Sequence, residues 1–113
     1  MKMVPEEVKQ ILQVLKNAQR VCVVGHVFPD GDCVGSQLAL GLALKAQGKK
    51  VCCWNENEIP DKLDFLDEGN MMRKPPQEPG GFDAVVSVDC ASFERLGIVG
   101  AKITNRKCFI NID

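Results

Sequence analysis

The sequence predicts an α/β domain: an open, mostly parallel β-sheet with helices on both faces, three layers in all. Three observations carry that expectation. Four short runs, at residues 21–24, 51–54, 84–88 and 107–112, are almost wholly apolar, as strands buried on both faces are. Segments with helical spacing or helix-capping signals separate several of them, which is the order of a parallel sheet with crossover helices. Polar residues follow the runs directly, and open α/β sheets bind ligands beyond the carboxyl ends of their strands.

The first element is a helix over residues 5–18. Pro5 suits its first position, and Glu6 and Glu7 complement the positive end of its dipole. Val8, Ile11, Leu12 and Leu15 form one apolar stripe. The first strand, 21–24, ends in Gly25, and a polar loop over 26–32 follows. A long apolar helix then runs from about Cys33 to Gln47, stopped by Gly48 as a residue free to take positive φ. The second strand, 51–54, completes a strand–helix–strand unit. Residues 63–66 read as a helical turn after Pro60. Residues 73–81 read as a surface loop, because Pro75, Pro76, Pro79, Gly80 and Gly81 crowd into them. The third strand, 84–88, ends in Asp89. Ser92 can cap a short helix through Leu96, ended by Gly97. The fourth strand, 107–112, leads straight to the last residue, Asp113.

The 113 residues suffice for one small domain. A domain rarely stops at the carboxyl end of a core strand, so 1–113 reads as the N-terminal part of a longer domain. Net charge is −1, which argues against a basic surface that grips long nucleic acid by its phosphates. No apolar run approaches the ~20 residues that span a bilayer, and residues 1–7 lack a signal-peptide core, so a cytoplasmic protein without membrane contact is expected. The six cysteines, Cys22, Cys33, Cys52, Cys53, Cys90 and Cys108, show no Cys-x-x-Cys spacing and have one histidine for company. A zinc site is not expected; most read as buried reduced thiols.

The strand ends hold the candidate chemistry. His26, Asp30 and Asp32 follow the first strand, Asp89 the third and Asp113 the fourth. Four carboxylates and a histidine gathered along one sheet edge must take up protons or bind a cation. Carboxylate oxygen with neutral imidazole suits Mn²⁺, Mg²⁺, Fe²⁺ or Zn²⁺; the many oxygens favour the harder ions, and the imidazole tilts the choice toward Mn²⁺ over Mg²⁺. Gly31 and Gly35 are read as giving the backbone a tight turn before the helix. The helix N-terminus near residues 33–36 offers amides to a phosphate. The plainer alternative for each residue alone is a loop histidine or a helix cap, Asp32 in particular capping the helix after it. The coincidence of all five at one edge favours metal.

Other motifs fail. Residues 25–31 lack the Gly-x-Gly-x-x-Gly of dinucleotide folds, and 31–36 lack the lysine of a phosphate-binding Walker loop. Asp30-Gly31-Asp32 opens like an EF-hand, but Gly41 stands where its twelfth-position glutamate belongs.

Gly25-His26-Val27-Phe28-Pro29-Asp30-Gly31-Asp32-Cys33-Val34-Gly35-Ser36 resembles the first signature of the DHH phosphoesterases. Within them it is similar to the branch of small oligoribonucleases that also act on adenosine 3′,5′-bisphosphate. Lys50-Val51, Phe65-Leu66, Val88-Asp89 and Arg95-Leu96-Gly97 resemble that branch in the same order. The resemblance implies a Rossmann-like DHH domain and a cofactor of two Mn²⁺ ions per intact site, with Mg²⁺ or Co²⁺ as substitutes. His26 and Asp30 would bind one ion and Asp32 the other, Asp89 would bridge them, and Asp113 would be the Asp of the Asp-His-His motif. Asp32 and Asp89 would thus be the catalytic carboxylates, with Gly35, Ser36 and Arg95 set toward the substrate. The ions would activate a water for in-line attack on phosphorus. The expected partner is a small phosphorylated nucleotide or a short single-stranded RNA.

The two histidines of the Asp-His-His motif and the family's second, substrate-recognising domain would lie past Asp113. Little turnover is therefore expected of these 113 residues alone. Two departures stand out: Phe28 where many relatives carry Asn, and Cys33 where a small Ala is usual. Cys33 at a helix N-terminus could be an activated thiol, though a small helix residue is the plainer reading. Alternative functions are a non-catalytic nucleotide- or phosphate-binding domain, an interaction domain with no ligand, and an exopolyphosphatase or cyclic dinucleotide phosphodiesterase of the same family. An exposed sheet edge would favour a homodimer.

Overall fold

The uninterrupted apolar runs pair as parallel strands in the structure, a computed structural model that describes residues 6–67, 69, 71–75, 81–88, 93–102 and 109–112. In chain order the elements are α1 (Glu6–Asn17), β1 (Arg20–Val24), α2 (Gly31–Ala46), β2 (Lys50–Trp54), a 3₁₀ turn (Asp61–Leu66), β3 (Met72–Arg73), β4 (Ala84–Val88), a second 3₁₀ turn (Phe93–Leu96), α3 (Ile98–Lys102) and β5 (Phe109–Ile112). The sheet runs β3-β2-β1-β4-β5, and every pairing is parallel.

Successive strand residues point to opposite faces, so a strand covered on both sides must be apolar throughout. On one face Val21, Val23, Val86 and Val88 pack with Leu15 of α1, with Ala18 just past its end, and with Leu44 of α2. On the other, Cys22, Val24 and Val85 pack with Trp54, Leu96 and Val99. Each fully buried valine of β1 contributes about 1.5–3 kcal/mol of transfer free energy. Helices thus cover both faces, as the sequence predicts.

Helix α2 ends where expected. Gly48 takes φ +85°, its N–H donates to the Lys45 carbonyl at 2.9 Å, and the Lys49 N–H donates to the Leu44 carbonyl at 3.3 Å. These two bonds close a Schellman motif. Gly97, at φ +63°, likewise ends the turn Phe93–Leu96.

Several expectations need correction. The sheet has five strands among the described residues, not four. Met72–Arg73, in part assigned to a loop, pairs with Cys53–Trp54 as a two-residue edge strand. Two ladder residues are too few to leave a pattern in sequence. Helix α3 was not foreseen, since its five residues follow a glycine that had already ended one turn. The stripe on α1 is narrower than its spacing implies. Leu15 is buried and Ile11 packs against the core, but Leu12 is 58% and Val8 41% exposed. Cys52 is exposed on β2 rather than buried. Pro5, Ser92, Cys90 and residues 107–108 lie outside the described residues.

The remaining thiols behave as small hydrophobes. Burial, reinforced by neighbouring Cys52 and Cys53, raises Cys22 far above the usual thiol range. Burial pushes Cys53 up to about 12, with the charge of Asp67 and the Cys52 thiol adding to it. Among the described residues no helix is long and apolar enough to cross a membrane.

Candidate metal and phosphate site

Strand order reverses between β1 and β4, and the crevice at such a switch is where open α/β sheets take ligands. The loop after β1 opens there. Its first residue, Gly25, donates its N–H to the Trp54 carbonyl at 3.2 Å, continuing the β1–β2 ladder. No side chain would fit at this position. A Cβ would overlap Gln37 Oε1 and lie 2.5 Å from Asn55 Nδ2 and 2.6 Å from Cys33 Sγ.

Those three residues form a buried polar brace. Gln37 Nε2 donates to Asn55 Oδ1 at 3.0 Å, and Asn55 Nδ2 returns a bond to Gln37 Oε1 at 2.8 Å. Gln37 Nε2 also donates to the Val23 carbonyl at 3.1 Å, and the Cys33 thiol donates to Gln37 Oε1 at 3.4 Å. The brace ties α2 to the carboxyl ends of β1 and β2 with buried polar groups satisfied. It was not foreseen. The available signal was Gln37 standing among Val34, Leu38 and Gly41 on the buried side of an apolar helix.

His26 comes next and is 5% exposed. Its Nδ1 lies 2.7 Å from the Val27 carbonyl oxygen. A carbonyl only accepts, so Nδ1 carries the proton in this bond; in the neutral ring Nε2 then keeps a lone pair. Nε2 faces Asp30 Oδ1 at 3.8 Å. Two further bonds pin the loop: Val27 N–H to the Arg95 carbonyl at 2.6 Å and Phe28 N–H to Asn57 Oδ1 at 2.8 Å. Between them Phe28 is held at φ +49°, in the left-handed region, with 77% of its surface exposed.

Asp30 is the N-cap of α2. Its Oδ1 accepts from the Cys33 N–H at 2.9 Å, and its carbonyl accepts the first helical bond, from Val34 N–H at 2.9 Å. The cap is therefore Asp30 and not Asp32, and α2 starts at Gly31, two residues earlier than expected. Two readings change with it. Gly31 and Gly35 lie within the helix at ordinary φ with open space around them, so neither makes a tight turn. The amides of the first turn belong to residues 31–33, and Gly35 and Ser36 fall in the second turn.

The structure thus brings His26 and Asp30 together. Asp32 is exposed on the first turn of α2, Ser36 is exposed and Gly35 half-buried. Arg95 is exposed and holds the loop through its carbonyl rather than its side chain. Cys33 is fully buried, in keeping with a small helix residue. Asp89 and Asp113 lie outside the described residues. Among the described residues no three His, Cys, Asp or Glu side chains are grouped so as to hold a metal.

A separate cleft of about 460 Å³ opens at the carboxyl ends of β2 and β3, walled by Asn55, Asn57, Asp61, Asp64, Arg73 and Lys74 among others. Neither His26 nor Asp30 lines it.

A sequence profile described as the DHH family, N-terminal domain, matches residues 20–113. Over 109 residues, 96% of this chain, the sequence is 33% identical to the bifunctional oligoribonuclease and PAP phosphatase NrnA of Thermus thermophilus. The whole chain matches the crystal structure of an exopolyphosphatase-related protein from Bacteroides fragilis with a TM-score of 0.85 at 22% identity, a likeness of fold. The chain spans about a third of the length of each, 32% of the first and 36% of the second.

Proposed function

The chain belongs to the DHH family, and from that premise we propose that it supplies the metal-binding half of a phosphoesterase active site. The observation that carries the reading is the state of His26. Its Nδ1–H is committed to the Val27 carbonyl, and Nε2 on the other side of the ring faces the carboxylate of Asp30. A ligating histidine is held in this way, with its other nitrogen fixed by a hydrogen bond that sets tautomer and ring orientation. One imidazole nitrogen and one carboxylate oxygen are a donor set that fits Mn²⁺, with Mg²⁺ or Co²⁺ as substitutes.

Two further carboxylates join the set in this reading. Val88 and Ile112 are register partners on neighbouring strands, and Asp89 and Asp113 are the next residues of the sequence. Asp32 would contribute from the first turn of α2. When bound, the ions would lower the pKa of a water and stabilise the charge that builds on the phosphoryl oxygens. The chain's own part is to hold and orient. The Gln37–Asn55 brace fixes the depth of the loop, Val27 holds the imidazole, and the Cys33 amide in the first turn of α2 holds the Asp30 carboxylate. The proposed substrates are short oligoribonucleotides or adenosine 3′,5′-bisphosphate, in keeping with the name of the Thermus relative.

The test is Mn²⁺-dependent phosphate release from adenosine 3′,5′-bisphosphate and from a short oligoribonucleotide. It compares this chain with one extended past Asp113 to the length of its relatives, and with Asp89→Asn in the longer form. Release from the longer form alone, abolished by Asp89→Asn, is expected. Release from neither would leave a nucleotide- or phosphate-binding role instead. Release from the 113-residue chain would mean that its own residues complete both metal positions.

A further inference from the structure

Phe28 meets two unfavourable circumstances at once. Its ring stands in water, 77% exposed, and its backbone is at φ +49°, where a bulky non-glycine residue is strained. Exposure alone would say little, since Phe65 is 70% exposed in the turn Asp61–Leu66. What sets Phe28 apart is that the surrounding structure enforces its position. The amide of Val27 is tied to the Arg95 carbonyl, its own amide is tied to Asn57, and two residues further on Asp30 is fixed as a helix cap. A side chain that gained nothing from that position would be better served by Asn or Gly, both at ease at positive φ. The position is also significant. Phe28 lies two residues from His26 and two from Asp30, and Asn57, which holds its amide, also walls the cleft of about 460 Å³. A cleft of that size accommodates a nucleoside.

We propose that Phe28 is the stacking platform for a nucleobase, and that it selects nucleotide over base-free phosphate compounds at the site beside His26 and Asp30. This rests on the reading of that site as one for phosphorylated substrates. Every base has a π-face, so a single exposed ring serves different bases, as short RNA of mixed sequence requires. The cleft wall suits the rest of a nucleoside. Asn57, Asp61 and Asp64 offer acceptors to hydroxyl and amino groups, and Arg73 and Lys74 stand among the four carboxylates of Glu58, Asp61, Asp64 and Asp67.

The experiment is an NMR titration of the 113-residue chain, a size at which single amides are followed readily. The probes are adenosine 5′-monophosphate and ribose 5-phosphate, the same phosphate with and without a base, added to wild type, Phe28→Asn and Phe28→Trp. Asn suits the left-handed backbone, so that variant is expected to fold, and its own spectrum verifies this. Wild type should bind the base-bearing probe roughly ten-fold more tightly or better. The adenine protons should shift upfield over the Phe28 ring. Phe28→Asn should erase both the preference and the shift while leaving ribose 5-phosphate untouched, and Phe28→Trp should keep them. Equal affinity for the two probes, no binding of either, or an unchanged preference in Phe28→Asn would overturn the proposal. So would an equal loss for both probes in Phe28→Asn, which would make the residue a packing element. Stacking that survives in a chain whose extended form hydrolyses no phosphoester would sink the enzymatic reading and leave this one standing.

Discussion

Gly25 sets the depth at which the loop bearing His26 leaves β1. An added methyl would press on Gln37, Asn55 and Cys33, all of which are buried. Gly25→Ala should therefore cost about 1–3 kcal/mol in urea-induced unfolding, the range for an overfilled interior. The neutral Gln37–Asn55 bonds should loosen with it. Single residues were legible here where chemistry restricts the choice. His26 and Asp30 stood out only as members of the set that follows the strand ends, each alone having a plainer reading as a loop histidine or a helix cap. Their division of labour was not legible. Both Asp30 and Asp32 could cap a helix, and only backbone geometry shows that Asp30 does. Phe28 was readable as an oddity but not as a strained residue, since φ leaves no trace in composition.

Between elements, Asp83 is the clearest fastening. Its carboxylate accepts from the Gln19 and Arg20 amides at 2.8 and 3.0 Å, and its own N–H donates to the Arg20 carbonyl at 2.9 Å. The start of β4 is thereby aligned with the start of β1, two strands far apart in sequence. The Arg20 and Gln19 amides hold the Asp83 carboxyl below its usual range, against a small opposing effect of burial. A carboxyl depressed on folding stabilises the native state above its ordinary pKa and loses that contribution as pH falls through the lower, folded value. Asp83→Asn should therefore lower Tm at neutral pH, and the gap to wild type should close as pH falls below about 4. A gap that stays constant from pH 7 to pH 3 would refute the linkage. Strands β1 and β4 were plain in the sequence because burial on both faces leaves few polar positions, Ser87 being the buried exception and bonded to Asn111. Strand β3 and helix α3 were not, being too short for any period to repeat.

At the scale of the molecule, the fold class followed from the apolar runs and their alternation with helices, while the placing of the candidate site residues did not. His26 and Asp30 come together because β1 ends at the sheet's switch point, while Asp32 stays out on the helix surface. On the proposed reading His26 and Asp30 are a partial ligand set, which predicts weak but measurable metal binding by the 113 residues. Mn²⁺ at ten times its dissociation constant adds about 1.4 kcal/mol, a rise in Tm of roughly 5 °C for a domain this size. Asp30→Asn is the informative variant, because asparagine caps a helix nearly as well as aspartate. It should leave the metal-free Tm nearly unchanged and remove the Mn²⁺ increment. An increment that persists in Asp30→Asn would separate the cap from any metal role.

The strand order also bears on how the chain is made. During synthesis β1 emerges first and β2 follows it closely through α2, so that half of the sheet can pair at once. The other flank of β1 belongs to β4, which appears only after residues 55–83 have been added. At ~5–20 residues per second that interval is roughly one and a half to six seconds. Through it, a strand with four fully buried apolar residues presents an unpaired edge to every nascent chain nearby. The same topology that puts His26 at the centre of the sheet thus makes β1 the segment most in need of shielding on the ribosome.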